Sequence, residues 1–182
     1  MKCRKSHNIE GEIKNCTITR KSSHWYISFQ TEQELPVPFH PSVKAVGLDM
    51  GVAKFVTLSS GEQYKPFNAF RNHEKIRARE QRKLSRKVKF SENWKKQKQR
   101  INRLHSKIAF CRSDYLSKTS TEISKKHAMI VIENLKVSNM SKSAKGTAED
   151  HGKNVKAKSG LNKSILDQGW YEFRRQLEYK QD

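Results

Sequence analysis

A chain of 182 residues suffices for one domain with appendages, and its 34% of apolar residues is below the usual globular share, so long surface stretches must contribute little to any core. The formal charge of +20, from 38 Lys and Arg against 18 Asp and Glu, favours a polyanionic partner, with nucleic acid first and a membrane-lipid or bacterial surface second. No run of about 18 apolar residues could span a membrane, the basic start Met1–His7 has no apolar signal core, and Cys3, Cys16 and Cys111 form neither a disulfide framework nor a Cys-x-x-Cys knuckle, which fits reduced cytoplasmic thiols.

In chain order, residues 1–40 are expected to form a basic arm and a β-hairpin. Glu12–Arg20 and Trp25–Phe29 alternate apolar and polar residues, with Lys21–His24 as the turn. Two strands alone are marginal in water, so the hairpin should belong to a larger sheet or barrel. Pro36, Pro38 and Pro41 form a stiff connector to a second module over 43–182. There, Val43–Asp49, Phe55–Leu58 and Gln63–Phe67 predict an antiparallel meander, its first strand apolar on both faces as a central strand should be.

The character then changes. Between Arg71 and Arg112 stand 16 Lys or Arg and three acids, Glu74, Glu80 and Glu92. Trp94, Ile101, Leu104, Ile108, Cys111 and Tyr115 recur at heptad-like spacing, with a thinner stripe at Ile76, Leu84 and Val88. Phe90–Asn93 reads as a break with an N-cap at Ser91. Residues 71–124 are thus expected to be a basic helical hairpin packed along one narrow seam. A solvated hairpin usually mixes charge signs, and this one does not. Arg71, Arg77, Arg79, Arg82, Lys83, Arg86, Lys87, Lys95, Lys96, Lys98, Arg100, Arg103 and Lys107 are the candidate phosphate contacts. A second apolar strand, 128–132, follows, and the helical crossover should set it parallel to a strand of the meander. Residues 137–160, rich in Ser, Lys and Gly, read as a mobile loop, and 161–180 as a closing helix.

Two strands each end in one acid, Asp49 and Glu133. Carboxylates delivered to the same end of neighbouring strands suit divalent-metal phosphodiester chemistry, as in a Mg²⁺-dependent nuclease of the RNase H type. Glu149 and Asp150 have no apolar strand to fix them. Asp167 should face solvent or a lysine from within its helix, and Asp182 is terminal.

Val46-Gly47-Leu48-Asp49-Met50-Gly51, with Ser60-Gly61 beyond the next strand, resembles the first RuvC motif of the TnpB-type (OrfB) proteins of bacterial insertion sequences, relatives of type V CRISPR effectors. Ile130–Leu135 is similar to their second RuvC motif, and Leu161–Trp170, continuing to Phe173 and Leu177, to the helix that follows. The resemblance implies an α/β fold: an incomplete RNase H-like (RuvC) core with a long basic helical-hairpin insertion and an N-terminal β-hairpin, the remnant of a β-barrel module. It implies a transposase or RNA-guided DNA endonuclease with DNA and guide RNA as partners. Asp49 and Glu133 would be catalytic metal ligands for Mg²⁺ or Mn²⁺. The family also carries a four-cysteine zinc ribbon and a third catalytic Asp, neither present here, so the expectation is a truncated, inactive nuclease that still binds nucleic acid. A non-catalytic regulator of transposition is the alternative, and a chain that hardly folds is a third.

Overall fold

A computed structural model describes residues 4, 7–21, 24–36 and 39–181 and shows a mixed α/β chain with two sheets. Strands β1 (Glu12–Lys21) and β2 (His24–Glu32) pair antiparallel as a two-stranded ribbon. The register sets Cys16, Ile18 and Arg20 opposite Phe29, Ile27 and Trp25, so alternation yields one largely apolar face. The hairpin is therefore present, but as a sheet of its own, with every residue exposed except half-buried Ile27. Ser22, Ser23, Pro38, Cys3, Asp182 and most of the basic arm, all named above, lie outside the described residues.

The second sheet contains β3 (Ala45–Met50), β4 (Val56–Leu58), β5 (Gln63–Tyr64) and β6 (Met129–Ile132), in the order β5-β4-β3-β6. Its first three strands form the expected meander, and β6 lies parallel to β3 after the crossover. The expectation of a two-faced apolar β3 fails. Val46, Leu48 and Met50 are buried, whereas Ala45 and Asp49 are exposed. Across the same open face, Met129 and Val131 of β6 remain 56% and 60% exposed. The apolar run records residue type, and only packing decides which face is covered.

Two helices fill the crossover, α1 (Ala69–Ser85) and α2 (Glu92–Lys126). Ser91 caps α2 as expected, its Oγ accepting from the Trp94 N–H at 3.2 Å. The seam is thinner than the stripe suggested: Ile76 and Val88 are exposed, and Ala69 is the one buried residue of α1. A polar link holds part of it, the buried Gln97 amide donating to the Glu80 carbonyl at 3.1 Å and carboxylate at 2.7 Å. Lys83 first and Gln97 second hold the Glu80 carboxyl down at about 2.

After β6 come α3 (Val137–Met140), α4 (Val155–Gln168) and α5 (Trp170–Gln181). The expected loop over 137–160 is thus corrected: helix occupies both its ends. Residues 155–160 continue no apolar stripe, and polar bonds tie this end of α4 down. The Lys158 ammonium donates to the Met140 carbonyl at 2.7 Å and the Asn162 amide to the Ser141 carbonyl at 2.8 Å. The single helix expected over 161–180 is two, broken at Gly169, whose φ of 74° suits glycine. A Cβ there would come within 3.1 Å of the Arg112 and Leu116 side chains, which would have to give by a few tenths of an ångström.

One core results. Val46, Leu48, Met50, Phe55, Val56 and Leu58 form its sheet side; Leu116 and Ile123 of α2, Ile165 of α4 and Trp170, Phe173 and Leu177 of α5 cover them. Phe55 lies edge-on to both Phe173 (4.9 Å) and Tyr115 (5.3 Å). The far half of α2 is structural, while its near half and α1 project the basic surface.

Candidate metal and nucleic-acid site

The register of β3 on β6 decides how the two acids meet. Leu48 stands opposite Ile132, and one residue further along both parallel strands come Asp49 and Glu133. Neighbouring strands are about 4.8 Å apart, so the two residues emerge side by side at the same end of the sheet. Both are exposed, and neither carboxylate has a hydrogen bond or ion pair with any described residue. In a chain with 38 basic residues, two uncommitted neighbouring acids are notable. Two hard oxygen donors fit Mg²⁺ or Mn²⁺, which completes its shell with water and phosphate oxygens. No group of three or more His, Cys, Asp or Glu placed to hold a metal occurs among the described residues. Cys16 is exposed on β1 and Cys111 half-buried on α2, so the described thiols do not fit a zinc ribbon.

Glu133 also borders a groove of about 600 Å³ between the end of β6 and α5. Arg174 spans it, donating to Asn134 Oδ1 at 2.6 Å and pairing with Glu178 at 2.8 Å. Arg174 and Arg175 escape a sequence reading because the apolar stripe is the one signal their helix gives. Asp49 does not line this groove.

Asp167 is the plain correction. It is neither solvent-facing nor paired with a lysine. Its side chain is 4% exposed, accepts from the Phe70 N–H at 2.9 and 3.0 Å and the Arg71 N–H at 3.2 Å, and pairs with Arg112 at 3.0 Å. It thus caps α1 from another helix, since Asn68 at the cap position makes no side-chain bond to the helix backbone. Glu149 and Asp150 are exposed in the loop before α4.

The candidate phosphate contacts divide by what already occupies them. Arg77 lies over the Phe70 ring at 4.8 Å, and Lys98 over Trp94 at 5.0 Å. Glu80 engages Lys83 at 2.8 Å and Arg79 at 3.6 Å, and Glu92 engages Lys95 at 2.7 Å. Arg71, Arg82, Arg86, Lys87, Lys96, Arg100, Arg103 and Lys107 make no side-chain hydrogen bond or ion pair with the described residues, although Lys96 lies in the field of Glu92. Of these, Lys96, Arg100, Arg103 and Lys107 fall at i, i+4, i+7 and i+11, one exposed row along α2. Arg71, Lys75, Arg79 and Arg82, with Arg86 at the helix cap, make a second exposed row along α1. No described helix is long and apolar enough to cross a membrane.

A family model described as "Probable transposase", OrfB_IS605, matches residues 28–144, which include both strand-end acids and the basic hairpin. The chain belongs to the OrfB_IS605 transposase family. Among curated relatives, "Putative RNA-guided DNA endonuclease InsQ" of Escherichia coli K12 is 61% identical over 181 residues, covering 100% of this chain and 45% of that protein. "Putative RNA-guided DNA endonuclease" of Streptomyces pristinaespiralis is 34% identical over 166 residues, 90% of this chain and 37% of that protein. The chain spans less than half the length of either relative.

Proposed function

We propose that these 182 residues form part of a RuvC-like, RNA-guided DNA endonuclease of an insertion sequence. Asp49 and Glu133 supply two of its metal-binding catalytic carboxylates, and the α1–α2 hairpin is its phosphate-contacting surface. The observation carrying this reading is the register that sets two uncommitted acids side by side at the ends of parallel strands. A bound Mg²⁺ or Mn²⁺ supplies Lewis-acid stabilisation and an activated water in phosphodiester hydrolysis. This chain's own residues contribute the two oxygen ligands, and the basic rows hold DNA and guide RNA by their phosphates. With only two such acids brought together, the 182 residues alone bind nucleic acid without cutting it.

Mn²⁺ binding, followed by electron paramagnetic resonance, tests the site without relying on activity. Asp49→Asn and Glu133→Gln are each expected to weaken binding by tenfold or more, with unchanged melting; equal affinity in wild type and double variant would refute the assignment. Metal-dependent cleavage by the purified chain that vanishes in Asp49→Ala would overturn the inactivity. A second reading, a non-catalytic nucleic-acid-binding regulator of transposition, is favoured by the contrast between eight uncommitted candidate cations and two acids. It predicts nucleic-acid binding with no measurable Mn²⁺ site.

A further inference from the structure

The tip of the α1–α2 hairpin has a feature that the fold does not explain. Among the described residues, three that are not glycine have positive φ: Asn68 (52°), Asn154 (55°) and Phe90 (65°). Asparagine tolerates this conformation, and both asparagines sit just before a helix. A bulky aromatic does not tolerate it well, and Phe90 stands where glycine or asparagine is the ordinary choice. It occupies the third position of a turn closed by the Ser91 N–H to the Val88 carbonyl at 3.2 Å. Its ring gains little burial in exchange, being 73% exposed beside Val88 at 79%. Its one ring contact is Trp94, 5.4 Å away and tilted by 53°. Strained backbone and exposed apolar surface are two costs at one residue, and a glycine would remove both.

Charge identifies what repays them. Arg86, Lys87 and Lys89 lie within four residues of Phe90, Lys96 begins the α2 row one turn on, and Lys98 packs over the Trp94 ring. The acid of the tip, Glu92, is engaged by Lys95. Exposed hydrocarbon flanked in sequence by cations is costly to bury against an apolar protein surface and suits a partner with apolar planar faces joined by anions, which describes an unpaired stretch of nucleic acid. Ser91, Glu92 and Asn93 follow the ring in sequence and all carry acceptors, so the choice of DNA over RNA rests on the proposed reading of the chain as part of a DNA endonuclease. We propose that Phe90, backed by Trp94, is a stacking platform for an unpaired base of single-stranded DNA at the hairpin tip. The inference rests on the reading of α1–α2 as a nucleic-acid surface but gives the tip a role of its own, since the rows hold phosphates and the tip holds a base.

The test uses the whole chain and a single-stranded DNA oligonucleotide carrying 2-aminopurine, with a duplex and an RNA of the same sequence alongside. Wild type should quench 2-aminopurine on binding. Phe90→Gly should abolish the quench and weaken single-strand binding roughly tenfold or more. It should leave duplex affinity and its salt dependence unchanged, and should melt no lower because the turn is relieved. Phe90→Tyr should restore the quench. Single-strand binding unaltered in Phe90→Gly would overturn the platform while leaving the phosphate rows intact. Equal loss on single strand and duplex, or loss confined to RNA, would overturn it as well. Wild type that binds no nucleic acid would defeat this proposal and the reading beneath it together.

Discussion

Asp167→Ala is expected to lower the stability of the folded chain by about 3 kcal/mol, the low end of what breaking a buried pair costs, because Arg112 remains 30% exposed and partly hydrated. The carboxylate joins three helices: it lies on α4, accepts two backbone N–H groups of the first turn of α1, and pairs with α2 through Arg112. Removing it leaves those N–H groups without an acceptor and strands a half-buried guanidinium. Losing a helix cap alone costs about 1 kcal/mol, and the unpaired cation makes up the rest. Asp167→Asn keeps an acceptor but no charge and should fall between. Arg112→Met leaves the carboxylate on the α1 N-terminus and should cost less than Asp167→Ala. Urea unfolding followed by circular dichroism measures all three, with Asp150→Ala, an exposed loop acid, as the control. A loss at Asp167 no larger than at Asp150 would show that the three-helix junction carries no such share of the stability.

A related loss is expected at the helix break. Gly169→Ala forces a Cβ into Arg112 and Leu116 at a φ of 74°, and should destabilise by about 1–2 kcal/mol in the same assay.

What can be read from sequence follows how local each signal is. The meander, the parallel return of β6 and the Ser91 cap are legible because apolar runs, turn residues and a capping serine are all short-range signals. That Asp49 and Glu133 each follow the last paired residues of neighbouring strands is legible for the same reason, as each acid ends an apolar run. Asp167 misleads because its role is fixed by an N-terminus 97 residues away, which no helical periodicity can reveal. The first turns of α4, residues 155–160, are hidden because they continue no apolar stripe; Lys158 and Asn162 tie this end of the helix to the carbonyls of Met140 and Ser141. The open face of the sheet is equally invisible, since a run such as Ala128–Ile132 has the same composition whether one face is covered or two.

Replacing Lys96, Arg100, Arg103 and Lys107 together by glutamine is expected to weaken duplex DNA binding on the order of a hundredfold at moderate salt, and to reduce the salt slope by about 3.6, since each neutralised phosphate contributes about 0.9. The row spans 11 residue steps, roughly 16 Å along α2, close to five base-pair rises of a duplex. Glutamine is nearly as good a helix former as lysine or arginine, and all four positions are exposed, so the fold should be little changed. The decisive control removes the same charge elsewhere. Lys83, Lys95, Lys118 and Lys126 are engaged by Glu80, Glu92, Asp114 and Glu122 at 2.7 to 2.8 Å. Their fourfold glutamine variant also moves the formal charge from +20 to +16, four positive charges fewer. If binding followed net charge alone, the two variants would lose equally, and the row would be no contact surface. If cations not held in an ion pair carry the contact, the α2 row variant loses much more and its salt slope alone falls. The engaged lysines would first have to leave a carboxylate to reach a phosphate, and the row would not.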